Sequence, residues 1–106
     1  FKQLCVDLGE DGTMLALKKI SPTRLIKNEL FAKIAEAESR GAEADELREL
    51  LGRAASKRGI FEGDLENGEL EIGQIASTIK EVKPIAQIMH ELITDFHTTQ
   101  SKIQSL

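Results

Sequence analysis

Lys57-Arg58-Gly59-Ile60-Phe61-Glu62-Gly63-Asp64-Leu65-Glu66-Asn67-Gly68-Glu69-Leu70-Glu71-Ile72-Gly73-Gln74 is the stretch on which the reading of this chain turns. Glycines recur at 59, 63, 68 and 73, so the backbone is free to bend several times. Five carboxylates, Glu62, Asp64, Glu66, Glu69 and Glu71, stand in a span without Lys or Arg between Gly59 and Ile79. A glycine-rich loop can close bare N–H groups around a phosphate, but these carboxylates repel that anion. A calcium loop fails too: no register from Glu62, Asp64 or Glu66 sets oxygen ligands and a glycine where an EF-hand needs them. Read by itself, the stretch is a solvated acidic connector between two helical pieces.

The 106 residues make one domain at most, large enough to bury roughly 60–70% of the unfolded surface. With 41% apolar and 30% charged residues the balance is that of an ordinary globular domain. Four Phe without Trp or Tyr, and a net charge of -4, argue against a base-stacking or phosphate-binding nucleic-acid surface. No run is long enough for a membrane span, and none resembles a signal peptide. Cys5 is the only cysteine, so no internal disulfide forms, and a reducing, cytoplasmic setting is expected. Flanked by Leu4 and Val6, Cys5 reads as a small core residue. The chain starts at Phe1, and Phe1–Leu8 reads as the tail of a helix already under way, as in a piece of something longer.

Upstream of the acidic stretch, Leu4, Cys5 and Leu8 share a helical face that Gly9–Gly12 ends. Thr13–Lys18 reads as one short strand, which needs a partner segment outside this chain, or else as no strand at all. Ser21-Pro22 signals a helix start, with Ser as cap and Pro at the first helical position. From there the apolar spacing of Ile26, Leu30, Ile34 and Ala37 predicts a helix that Gly41 ends with a left-handed cap. Asp45 would cap a second helix through Leu47, Leu50, Leu51 and Ala54, bent at Gly52 and closed by Gly59. Downstream, Ile72, Ile75, Ala76 and Ile79 mark a third helical stripe. Pro84 opens a last helix carrying Ile85, Ile88, Met89, Leu92, Ile93 and Phe96 on one side, with a polar tail fraying from Thr98.

Little of this is chemistry. His90 and His97 stand two turns apart, about 10 Å along a helix, too far for one metal ion, so no metal site is expected. Lys18, Lys19, Arg24 and Lys27 gather near the Ser21 helix start, where N–H groups and the helix dipole favour an anion, and Lys19 and Arg24 are the candidate contacts. The plainer reading is a solvated basic face. No Ser–His–Asp, Cys–His or paired-carboxylate arrangement stands out, and no catalytic residue is expected.

Residues 58–84 resemble the C-terminal signature of the nitronate monooxygenases, formerly 2-nitropropane dioxygenases. The shared pattern is a Gly-Asp at 63–64, an acidic-Gly pair after it, Gly73-Gln74, and a helix running to a proline at 84. The FMN-dependent enoyl-acyl-carrier-protein reductases are relatives of that family. Ser21–Asn28 resembles a second family segment, with Arg24 and Asn28 four residues apart after a short extended run. Ser77-Thr78 departs from the Gly-Leu that the family often carries, and Ser21-Pro22-Thr23 from its Gly-Arg-Pro type turn.

The resemblance implies a mainly α chain with one short strand, the C-terminal fragment of an FMN-binding (β/α)₈-barrel enzyme. Residues 1–68 would be a helical substrate-domain-like segment, and 69–106 the returning helices that pack on the absent barrel. Ile72, Gly73 and Gln74, opening the returning helix, would be the substrate- and cofactor-side wall; a Gly there allows close approach, and a Gln amide can hydrogen-bond. The parent would oxidise alkyl nitronates with O₂ using FMN, which this fragment alone is not expected to bind. Its partners would be the missing barrel and a small-molecule substrate, and the fragment would self-associate to cover its barrel-facing surface. The alternatives are the C-terminal part of an enoyl reductase, and a free-standing helical interaction domain whose apolar stripes dock a partner helix.

Overall fold

The computed structural model describes all 106 residues and is mainly helical. Helix α1 (Lys2–Val6) leads into strand β1 (Thr13–Ala16), and β2 (Thr23–Ile26) returns antiparallel to it. Helices α2 (Glu29–Ser39) and α3 (Ala44–Leu51) follow. A single wide turn at Lys57–Phe61 and a 3₁₀ turn at Gln74–Thr78 precede the long helix α4 (Ile85–Gln104).

The extended run at Thr13 has its partner inside the chain, which corrects the expectation of a missing one. Thr13 pairs with Ile26, Met14 with Leu25, Leu15 with Arg24 and Ala16 with Thr23. The expected helix start at Ser21-Pro22 does not form. Pro22 sits in the connection ahead of β2, and Ser21 offers its carbonyl oxygen to the Thr23 hydroxyl at 2.7 Å instead of capping a helix. Leu17, in the same connection, takes a left-handed φ of 57°. That conformation costs a non-glycine residue about 1–2 kcal/mol, and burial of its side chain in the main core offsets it.

The cap of α2 is Asn28, whose Oδ1 accepts from the Phe31 N–H at 2.9 Å. Leu30, Phe31, Ile34 and Ala37 make its buried face. At its end Gly41 (φ 83°) gives the left-handed cap that the sequence predicts. Ala42 N–H reaches the Ala37 carbonyl and Gly41 N–H the Glu38 carbonyl, the paired bonds of a Schellman ending. Helix α3 starts after Glu43, with no side-chain cap, and Asp45, inside its first turn, pairs with Arg48 at 2.8 Å instead of capping it. It ends at Gly52 (φ 67°) and does not run on to Gly59, because the left-handed Gly52 and Ala54 turn the chain away.

The acidic stretch is not a solvated connector. Ile26 N–H donates to the Leu70 carbonyl at 2.9 Å and Ile72 N–H to the Arg24 carbonyl at 3.2 Å, so residues 70–72 line the open side of β2. Gly68 lies against Gly59 so closely that a Cβ on Gly68 would meet Gly59 backbone atoms. Asp64 accepts from Asn67 N–H, and Glu69 accepts the Ser56 hydroxyl at 2.7 Å.

One face of this small sheet carries the main core of Ala16, Leu17, Leu25 and the α2–α3 residues through Leu47. The other carries a smaller cluster of Cys5, Ile26 and Leu70, reached by Phe1, Leu4 and Leu8. Helix α4, at 20 residues, buries nothing and accounts for the elongated 54 × 31 × 21 Å shape. It continues to Gln104, past the fraying expected from Thr98, and is not long and apolar enough to cross a membrane.

Candidate functional site

Three of the five candidate residues meet at one place. Because Ile72 bonds to the Arg24 backbone, the end of β2 and the start of the returning segment form a shallow cavity of about 480 Å³. Pro22, Thr23, Arg24, Glu71, Ile72 and Gly73 line it. Arg24 is half-buried, and its Nη1 donates to the Thr13 hydroxyl at 3.1 Å, which steers the guanidinium toward β1. Glu71 also lines the cavity, but as the partner of Leu25 across the ladder it stands on the opposite face from Arg24, and its Oε1 accepts from the Ser56 hydroxyl at 3.4 Å.

Gly73 stands out by what it does not do. Its φ of -75° and ψ of 152° suit any residue, and a Cβ there would meet only Ile75 Cγ2 at 3.9 Å. Nothing inside the chain requires glycine at this position, in contrast to Gly59 and Gly68. Gln74 opens the 3₁₀ turn with its side chain exposed.

Lys19 is not part of this cavity. Its Nζ donates to Glu43 Oε1 at 2.8 Å and to the Gly41 carbonyl at 3.4 Å, tying the hairpin connection to the α2–α3 turn. The helix N-terminus that was to join Lys19 and Arg24 around one anion is absent, so the two are held in separate settings. No group of three metal-capable side chains comes together, and His90 and His97 lie exposed on α4.

The sequence reading passed over Asn28 as a fastener. Besides capping α2, its Nδ2 donates to the Leu65 carbonyl at 3.0 Å and the Gly68 carbonyl at 2.9 Å. One side chain thus joins β2, α2 and the glycine-rich loop, and fixes where Glu71–Gly73 emerge. The available signal was a good capping residue directly ahead of the Leu30–Ala37 pattern.

Neither a protein-family model nor a curated protein matches this sequence. Solved structures do. FabK from Thermotoga maritima is similar over 97% of this chain, with a TM-score of 0.81 and 29% identity. A point mutant of that protein gives a TM-score of 0.71 and 26% identity over the same share. The chain spans about a third of the length of these proteins, 32% and 30% respectively.

Proposed function

We propose that this chain is the C-terminal part of an FMN-dependent enoyl-acyl-carrier-protein reductase, in which it covers the substrate side of a flavin-binding barrel. The observation that carries the reading is the likeness to FabK, an enzyme of that activity, over 97% of the chain at a TM-score of 0.81. The likeness takes in almost the whole chain, so the unburied α4 has a counterpart in a protein with two thirds of its length left to cover it. The signature at 58–84 is common to this activity and to nitronate oxidation. FabK tips the choice to the reductase and away from the nitronate monooxygenase that the signature first suggests.

In this reading the chain contributes position. Ile72, Gly73 and Gln74 form the wall facing substrate and flavin, where the bare Gly73 lets a planar ring approach the backbone. Asn28 and the bonds from β2 hold that wall in place. The residues do not by themselves fit FMN. Arg24 shares its cavity with Glu71, and no cluster of free N–H groups is presented there for the flavin phosphate. No step of the flavin chemistry is therefore assigned to these residues. The apolar stripe of α4 would face the barrel.

The test takes the whole protein that carries this chain, purified with its flavin. It is assayed with a trans-enoyl thioester and reduced nicotinamide, and separately with an alkyl nitronate and O₂. Flavin-dependent loss of the enoyl absorbance is the expected result. Oxygen uptake on the nitronate with no enoyl reduction would transfer the assignment to nitronate monooxygenase, and neither activity would overturn both. Saturable FMN binding by the purified 106-residue chain would overturn the positional role.

A further inference from the structure

We propose that the free edge of β1 is a self-complementary docking surface on which Thr13–Ala16 of a second copy of this chain adds antiparallel to the same residues. This inference is independent of the flavoenzyme reading. Strand β2 is paired on both sides, with β1 on one and residues 70–72 on the other. Strand β1 is paired on one side only. Lys27 N–H donates to the Gly12 carbonyl, and the register sets Met14 against Leu25 and Ala16 against Thr23. By the alternation of an antiparallel ladder, the N–H and C=O groups of Thr13 and Leu15 then point outward.

That edge lacks most of the usual guards. An exposed edge is normally blunted by shortness, a proline, a bulge or a charge within the strand; β1 is short, at four residues, but has none of the other three. Here the four residues are Thr-Met-Leu-Ala, with Met14 51% and Leu15 44% exposed. Charge stands at the two ends instead. Glu10 and Asp11 form the turn before β1, and Lys18 and Lys19 the turn after it. An acidic start and a basic finish make the strand complementary to itself when reversed, which commits the occupant to a second copy.

The outward groups also select the register. Antiparallel pairing about a twofold axis must be centred on Thr13, Met14 or Leu15 for the free groups to meet. Centring on Thr13 sets Glu10 opposite the second copy's Ala16 and wastes the charge. Centring on Leu15 calls on Lys19, which is already bonded to Glu43 and Gly41. Centring on Met14 sets Thr13 against Leu15 in both directions and brings the acidic turn against Lys18, whose ammonium has no partner within its own chain. Met14 also overhangs a groove of about 370 Å³ between β1 and α2, floored by Ala16, Phe31 and Ala35, which the second copy's Met14 can enter.

Two measurements on the 106-residue chain test this. Met14→Cys, in a Cys5→Ala background, puts two thiols on the axis at a non-hydrogen-bonded pair, where Cα atoms stand about 4.5 Å apart and a disulfide closes readily. Mild oxidation is expected to link this variant at least tenfold faster than Phe61→Cys in the same background, since Phe61 is 84% exposed but off the edge. Equal rates would overturn the proposal. The second measurement keeps Cys5. By sedimentation equilibrium, Lys18→Glu raises the dissociation constant about tenfold, because two symmetry-related contacts change sign. Adding Glu10→Lys restores it. An unchanged constant in Lys18→Glu, a double variant no tighter than the single one, or association abolished by Leu92→Glu on α4 alone would each overturn the edge as the interface.

Discussion

Asn28 offers the sharpest test of how the candidate wall is held. Its side chain makes three hydrogen bonds, one capping α2 at Phe31 and two reaching the carbonyls of Leu65 and Gly68. Asn28→Ala removes all three. A lost cap costs about 1 kcal/mol, and each half-buried amide-to-carbonyl bond about 1 kcal/mol net, so the sum is about 3 kcal/mol. Asn28→Ser keeps a capping oxygen but cannot span to the loop, and should cost about 2 kcal/mol. For a domain near this size, those losses lower Tm by roughly 8–20 °C. Urea unfolding gives the global cost, and amide exchange at Gly68–Ile72 against that in α2 separates loop from cap. Serine should loosen the loop while α2 stays protected; alanine should loosen both. A cost under about 0.5 kcal/mol for alanine, or unchanged exchange at Gly68–Ile72 in serine, would show that the loop holds itself and that Asn28 is only a cap.

Glycine substitutions should divide sharply. Gly68→Ala drives a Cβ into the Gly59 backbone and the Asp64 carbonyl, and should cost more than about 3 kcal/mol or prevent folding, whereas Gly73→Ala should stay within about 0.5 kcal/mol by the same urea titration. The tie at the start of α4 should depend on pH at both ends. A hydrogen bond from Lys83, then one from Gln87, holds the Glu91 carboxyl below its ordinary 4.5, and the bond to Glu91 holds Lys83 above 10.5. A depressed carboxylate stabilises above its unfolded value and loses that as pH falls through its folded value; a raised ammonium stabilises below its unfolded value and loses that as pH rises through its folded one. Helicity by circular dichroism should therefore stay flat between about pH 5 and pH 10 and fall outside that window, with Glu91→Gln removing the acid-side fall that this tie causes. Burial pushes the Cys5 thiol up, so iodoacetamide at about pH 8 should label the folded chain at least about tenfold more slowly than the urea-unfolded one.

What the sequence discloses here follows the range of the forces involved. The Gly41 ending, the buried face of α2 and the break at Pro84 all depend on residues within one or two turns, and they are legible. The start of α2 is not. Ile26 stands four residues before Leu30 and extends the helical spacing by coincidence, while Ser21-Pro22 supplies a plausible cap. The competing term is long-range: residues 23–26 gain one ladder from β1 and another from residues 70–72, and Ile26 packs with Cys5 and Leu70. No local pattern announces a partner 44 residues away. The acidic stretch misleads for the same reason. Its carboxylates do stay at the surface, but its Glu69 N–H donates to the Ala55 carbonyl, its Leu65 and Gly68 carbonyls accept from Asn28, and Gly68 packs on Gly59. At the candidate site, the pairing of Ile72 and Gly73 with Arg24 is a product of that same hidden ladder, and Lys19 is lost to Glu43 across the α2–α3 turn.

Two features have no counterpart within the chain, and both lie downstream of that ladder. Gly73 leaves backbone bare where neither its dihedral angles nor its neighbours ask for it. Helix α4 leaves Ile85, Ile88, Met89, Leu92, Ile93 and Phe96 between 41% and 79% exposed on one face. A fully buried side chain of this size gains about 1.5–3 kcal/mol, so six that are about half-buried forgo roughly 5–9 kcal/mol. That is comparable to the whole net stability of a typical domain, about 5–15 kcal/mol. A stripe of such size is recovered only by contact with another surface. Asn28 and the bonds to β2 fix the exit of residues 71–73, whereas α4 buries nothing and is tied only locally, by Lys83 reaching forward to Glu91 along its first turns. Pre-ordering of residues 71–73 lowers the entropic cost of any contact they make, an advantage that the unpacked α4 does not share.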